Sequence, residues 1–211
     1  MNFVQRAQEV LDIEVEGLQK ARQSVGREFS EAVGLMLGCL EKRGKIVVTG
    51  IGKNLHIAHK ISATLASTGS TSVMLNPAQA MHGDLGILQA GDVLLALSYS
   101  GESEELVALL PVAKRLGVKI VSITGNLDSS LARNSDVAIP AAVDREACPF
   151  NMAPTSSTTV ALAMGDALAM VLLEARGFER EDYAKLHPGG AIGRALLLRV
   201  SDIMRTGERL A

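Results

Sequence analysis

The chain has 211 residues, 47% apolar and 21% charged, with a formal net charge of −2 and 3% aromatic residues that include no Trp. That length can bury a substantial core as one large α/β domain or two small ones. The near-neutral balance does not suggest a general nucleic-acid or membrane-surface binder, and the core must be built from Ala, Leu, Val, Ile and Met.

The opening MNFVQRAQEVLDIEVEG alternates charged and apolar residues and lacks the apolar centre of a signal peptide. Apolar positions Val4, Ala7, Val10, Leu11, Ile13, Val15 and Leu18 recur at helical spacing over residues 4–22, and a second helix is expected over 28–42. Residues 45–50, Lys-Ile-Val-Val-Thr-Gly, form a short β-branched run that reads as a buried strand. Four similar runs follow at 71–75, 92–98, 119–124 and 136–139, with helices expected at 55–66, 103–116 and 129–134 between them. Apolar strands alternating with helices predict a doubly wound, five-stranded parallel sheet in a flavodoxin-like three-layer sandwich. A long apolar helix over 156–175 and a shorter one over 179–186 complete the pattern. The most apolar stretch, 160–173, is broken by Gly165 and Asp166 and reads as a buried helix, too short to span a bilayer. Cys39 and Cys148 lie far apart without a CxxC pattern, so no disulfide staple is indicated and a reducing cytoplasm fits.

Ligands of open parallel sheets bind beyond the carboxyl ends of the strands, so the chemistry is sought there. After the first strand comes Gly50-Ile51-Gly52-Lys53-Asn54. Glycines let the backbone approach an anion, a helix N-terminus offers free N–H groups, and Lys53 adds a cation. Neither a Walker A loop nor GxGxxG is present, which argues against a nucleotide site. After the third strand comes Ser98-Tyr99-Ser100-Gly101-Glu102-Ser103, followed by Glu104 and Glu105. Capping explains one serine, not three, so Ser98, Ser100 and Ser103 suggest a phosphate cradle. Thr124-Gly125-Asn126 reads as a structural turn. Before the long helix stand five hydroxyl residues, Thr155, Ser156, Ser157, Thr158 and Thr159. Such residues are poor inside a helix but suit an N-terminus that presents donors to an anion. Two histidines sit on Gly-bearing loops, His82 and His187, and imidazole moves protons near neutral pH. His56 and His59 read as ordinary helical residues, and no zinc-ligand spacing is found.

These segments occur in one order: Gly50-x-Gly-Lys53, Ser98-x-Ser-Gly-Glu102, Glu146-Ala-Cys-Pro149, Ala153-Pro-Thr-Ser-Ser-Thr158, Met164-Gly-Asp-Ala-Leu-Ala169 and His187-Pro-Gly-Gly190. The set resembles the sugar isomerase (SIS) domain and, with His82-Gly83-Asp84, is most similar to the arabinose-5-phosphate isomerases. The resemblance covers nearly the whole chain. It implies interconversion of D-ribulose 5-phosphate and D-arabinose 5-phosphate through an enediolate, without a cofactor, in supply of Kdo for lipopolysaccharide or capsule. The family's catalytic Lys, two Glu and His fall on Lys53, Glu105, Glu146 and His187. Gly52, Asn54, His82, Ser98, Ser100, Ser103, Thr155, Ser156, Ser157 and Thr158 fall to substrate and phosphate binding.

Within that frame Glu105 is the leading base candidate, His187 a proton shuttle, Glu146 an orienting or proton-sharing carboxylate and Lys53 a charge neutraliser. These roles are open to permutation. Zinc at His82 is expected only as an adventitious ion. The family usually reads Gly-Lys-Ser-Gly-His where this chain has Gly52-Lys53-Asn54-Leu55-His56, a departure that bears on substrate preference. The resemblance also implies a homotetramer, with the helices around 8–18 and 160–173 as subunit contacts, and CMP-Kdo as a candidate regulator. Residues 1–199 are expected to form the SIS domain, and 200–211, Val-Ser-Asp-Ile-Met-Arg-Thr-Gly and onward, resemble the opening of a CBS region in a truncated or single-domain member. A regulatory module that binds a sugar phosphate without turnover, or another SIS isomerase, are the alternative readings.

Overall fold

The computed structural model describes residues 1–188; Gly189, Gly190 and the expected boundary and tail from 199 onward lie outside the described residues. Two helices open the chain, α1 (Phe3–Ser24) and α2 (Arg27–Glu41). Then follow β1 (Ile46–Gly50), α3 (Lys53–Ser67), β2 (Ser72–Leu75), α4 (Pro77–Ala80) and a 3₁₀ turn (Asp84–Ile87). The second half runs β3 (Val93–Leu97), α5 (Glu104–Arg115), β4 (Lys119–Thr124), α6 (Ser130–Asn134), β5 (Val137–Pro140), α7 (Ser156–Ala175) and α8 (Arg180–Leu186).

The five strands pair in parallel in the order β2-β1-β3-β4-β5. Both faces are covered, which is why β3 is a continuous apolar run and β1 is fully buried, its one polar side chain, Thr49, donating to the Leu75 carbonyl. Successive residues still point to opposite faces. Ile46, Val48, Val93 and Leu95 join a core with α1, α2, α3 and α7; Val47, Leu94 and Ala96 join a second core with α4, α5 and α6. At the opposite edge from the strand carboxyl ends, buried Asp92 accepts from the Lys45 amide at 3.0 Å, the Lys45 Nζ at 2.7 Å and the Gln89 amide at 2.8 Å. The carboxylate is thereby fully partnered and ties the start of β1 to that of β3.

The expected strands and the longer helices are all present, with ends shifted by a residue or two. Absent from the sequence reading were α4 and the 3₁₀ turn, each four residues long. Such lengths hold no helical period, although Asn76 capping the Ala78 amide and Pro77 at the first helical position are local start signals. The apolar helix α7 is 20 residues long, enough by length and composition to cross a membrane. It packs instead against α1, α3 and α2, as a buried helix of the domain.

Leu95 has no exposed surface and lies in the strand between β1 and β4. Leu95→Ala is expected to cost about 2–5 kcal/mol through lost transfer and a cavity. A urea titration by circular dichroism checks this through a lower midpoint at unchanged slope.

Candidate active site

The strand order reverses between β1 and β3, so a crevice opens where the β1 and β3 loops diverge. A cavity of about 400 Å³ lies at this rim. Its walls are the turn Ile51–Asn54 after β1, Tyr99 after β3, the connection 143–154 after β5, and Ser157 and Thr158 in the first turn of α7. A narrow extension reaches Ser98, Thr124 and Gly125 and shares Asn54, Tyr99 and Ser157 with the main cavity. Both hydroxyl-rich turns therefore stand on one rim of the sheet.

The β1 turn needs glycine for a steric reason. A Cβ on Gly50 would lie 2.7 Å from the backbone oxygen of Asn54, so only glycine lets α3 start this close to the strand end. Lys53, the first residue of that helix, is exposed on the cavity wall. In the β3 turn, the Ser98 Oγ accepts the Gly101 amide at 3.1 Å and the Ser100 Oγ accepts the Glu102 amide at 3.3 Å. Gly101 has φ +69°, and a Cβ there would fall 2.0 Å from Ser129 Oγ. Glu102 accepts the Ser130 amide at 2.7 Å, which caps α6; hydrogen bonds from Ser130 hold its pKa below the usual carboxylate value. Ser103 occupies the N-cap position of α5 without making a side-chain cap bond, and its Oγ lies 3.4 Å from Ser98 Oγ.

Glu146 is the best-held carboxylate of the rim. Its Oε2 accepts the Thr155 amide at 2.8 Å, the Thr155 hydroxyl at 3.0 Å and the Ser157 amide at 3.2 Å; its Oε1 accepts the Ser157 hydroxyl. The carboxylate thus sits on the N-terminus of α7, where free amides and the helix dipole favour an anion. Burial opposes ionisation, but the Ser157 hydroxyl, the Thr155 and Ser157 amides and the Thr155 hydroxyl outweigh it, and the pKa falls below its ordinary value.

The connection carrying Glu146 is braced by α1. Arg6 Nη2 donates to the Ala147 carbonyl at 2.9 Å, Lys20 pairs with Asp144, Glu16 lies 3.7 Å from Arg145, and Glu14 accepts the Thr159 hydroxyl at 3.0 Å. From the sheet side, the Tyr99 hydroxyl donates to the Val143 carbonyl at 3.1 Å and accepts its amide at 3.4 Å.

Of the residues singled out by sequence, the cavity brings together Gly52, Lys53, Asn54, Glu146, Ser157 and Thr158, with Ser98 in the extension. Thr155 is half-buried behind Glu146, and Ser156 is fully buried with an unpartnered hydroxyl. Ser100, Ser103 and Glu105 do not line the cavity; Glu105 is exposed in the first turn of α5. Exposed His82 follows α4, also off the cavity wall. His187 caps the end of α8, stacks on Tyr183 at 4.0 Å between ring centroids, and lies off the wall as well. Its Nδ1 is 2.8 Å from the Tyr183 carbonyl. A carbonyl can only accept, so Nδ1 carries the hydrogen and a neutral ring leaves Nε2 free of a proton. Among the described residues no three His, Cys, Asp or Glu side chains gather as a metal site.

Wall residues that the sequence reading did not single out include Tyr99, Asp144, Arg145 and Asn151. Tyr99 lies inside the Ser98–Ser103 motif and Arg145 directly precedes Glu146, so adjacency to recognised motifs was the available signal.

The hold on ionised Glu146 has a pH consequence. A carboxylate with a depressed folded pKa adds stability above its unfolded value, ordinarily 4.5, and loses that contribution as pH falls through the folded value. Glu146→Gln is therefore expected to lower the melting temperature at pH 7 and to lower it less as the pH is taken below about 4. Paired thermal melts of the two proteins across that range check the sign.

The SIS domain family model matches residues 39–171, which span β1 to most of α7. The arabinose 5-phosphate isomerase KdsD of Salmonella typhi is 53% identical over 209 residues, covering 99% of this chain and 63% of that protein. KdsD of Pseudomonas aeruginosa is 50% identical, covering 100% and 64%. The chain thus spans somewhat less than two thirds of the length of these curated relatives. Among solved structures, E. coli CFT073 c3406 in complex with arabinose 5-phosphate superposes with a TM-score of 0.84 at 36% identity, covering 89% of this chain and 100% of that one. A family model over more than half the chain, a parallel sheet of the same build and a rim that gathers the expected loops lead to one conclusion: the chain belongs to the SIS domain family.

Proposed function

We propose that this chain is an arabinose-5-phosphate isomerase, interconverting D-ribulose 5-phosphate and D-arabinose 5-phosphate through an enediolate. The observation that carries the reading is that Lys53 and ionised Glu146 line one cavity at the strand carboxyl ends, beside a serine-rich turn. The identity with the KdsD enzymes, and a neighbour whose structure holds arabinose 5-phosphate, support this choice among sugar phosphates.

The chemistry needs a base at the carbon next to the carbonyl, a cation or acid at the enediolate oxygen, and an anchor for the phosphate. Glu146, held ionised inside the cavity, takes the base role in preference to exposed Glu105. Lys53 neutralises charge on the enediolate oxygen or the phosphate. His187, its Nδ1 held at the Tyr183 carbonyl, shuttles a proton between the sugar oxygens or at ring opening. Tyr99 and Arg145 join the wall as further contacts with the sugar.

Glu105, His187 and His82 lie off the cavity of a single chain, so the complete site draws on a neighbouring subunit of a homotetramer. Apolar residues exposed along α1, among them Phe3, Val4, Leu11 and Val15, support association through this helix. Further parts of the same reading are a cytoplasmic setting, supply of Kdo for lipopolysaccharide or capsule, and CMP-Kdo as a feedback ligand.

Glu146→Gln and His187→Ala are each expected to lower turnover of arabinose 5-phosphate by roughly 10²–10⁴-fold. Exchange of the sugar C2 proton in deuterated water is expected for the unaltered protein and reads the enediolate directly. A protein that binds the sugar phosphate without exchange is a sensor and ends the isomerase reading.

A further inference from the structure

The five hydroxyl residues before α7 invite assignment to the substrate phosphate, yet the structure spends them elsewhere. The Thr155 and Ser157 hydroxyls and amides all go to Glu146. Ser156 has no exposed surface. The Thr158 hydroxyl donates to the Thr155 carbonyl at 2.8 Å, and that of Thr159 to Glu14. In the opposing turn, Ser98 and Ser100 accept backbone amides, which leaves their hydroxyl hydrogens to donate, and Ser103 makes no cap bond.

We propose that Thr155 and Ser157 are positioning residues for the Glu146 carboxylate and do not bind the substrate phosphate. The proposal rests on Glu146 being the carboxylate that handles the proton. At the α7 start Glu146 takes the Thr155 and Ser157 amides, and a carboxylate held there repels a phosphate dianion brought to the same point. Four donors to one carboxylate also fix its direction, which matters for a base that must meet a particular C–H bond.

Other charges facing Glu146 are accounted for. Lys53 comes from α3, and Asp144 and Arg145 from the same connection, with Arg145 drawn toward Glu16 of α1. From α1, Arg6 holds the neighbouring Ala147 carbonyl and Glu14 is tied to Thr159. Neutral contacts are Asn151, whose Oδ1 accepts the Glu146 amide at 2.7 Å, and Tyr99. None of these donates to the carboxylate as Thr155 and Ser157 do.

The test compares Ser157→Ala, Ser157→Thr, Thr155→Val and Ser103→Ala, each confirmed folded by circular dichroism. Readouts are kcat and KM for arabinose 5-phosphate, the pH profile of kcat, and competitive inhibition by inorganic phosphate. Ser157→Ala and Thr155→Val are expected to lower kcat by roughly 10- to 100-fold, the range spanned by a hydrogen bond to a charged group. Their acid limb shifts to higher pH because the carboxylate loses donors, while KM and phosphate inhibition change by less than about threefold. Ser157→Thr restores kcat and the acid limb. Ser103→Ala weakens phosphate inhibition and raises KM. Weaker phosphate inhibition with unchanged kcat in Ser157→Ala and Thr155→Val would overturn the proposal. So would an inactive Glu146→Gln alongside a Ser157→Ala protein of unaltered kcat and pH profile. An active Glu146→Gln would instead sink the prior assignment of Glu146 to catalysis, and the positioning role with it.

Discussion

The carboxylate of Glu146 on the first turn of α7 is the contact on which the rest of the rim depends. A 20-residue apolar helix starts at the sheet's carboxyl edge with free amides that favour an anion. Here the anion is a side chain from the connection that follows β5. That one placement closes the cavity wall and keeps the carboxylate ionised against partial burial, in the same cavity as Lys53. The α1 braces at Ala147, Asp144 and Arg145 support that connection, and the one at Thr159 ties α1 to the first turn of α7. An N-terminal helix outside the sheet thereby contributes to the site without lining the cavity.

The two serine- and threonine-rich segments are alike in composition and different in use. In the β3 turn, serines fold the backbone around themselves, with Gly101 at positive φ and Glu102 spent on α6. In the α7 turn, hydroxyls and amides converge on a carboxylate. Composition alone assigns both to an anion; geometry shows that one already has its anion. The separation follows from electrostatics, because two negative groups cannot share one set of helix amides without cost. Under the proposed function, the β3 turn would anchor the phosphate and Glu146 would be the directed carboxylate.

Most of the fold was legible in the sequence. Five β-branched or apolar runs, most of them separated by a helical period, pointed to one architecture, and burial of both sheet faces explains their largely apolar make-up. Even the missed elements were short pieces between β2 and β3, where Pro77 and Asn76 carried a local signal but no period. The cavity was legible in part. Gly52, Lys53, Asn54, Glu146, Ser157 and Thr158 share it, whereas Ser156 is buried and Glu105, His82 and His187 stand off it.

Chain order and residue type by themselves determined the parallel sheet, the rim on which chemistry must sit and the family resemblance, because periodicity and loop motifs are local properties. Tertiary structure alone decided which donor meets which acceptor. Glu146 and Ser157 are eleven residues apart and join only because β5 returns the chain to the α7 start; Arg6 and Ala147 are 141 apart and meet only because α1 lies along that return. Hydrogen bonds and ion pairs act over a few ångströms, and spacing along a sequence says little about distances of that size until the core has packed.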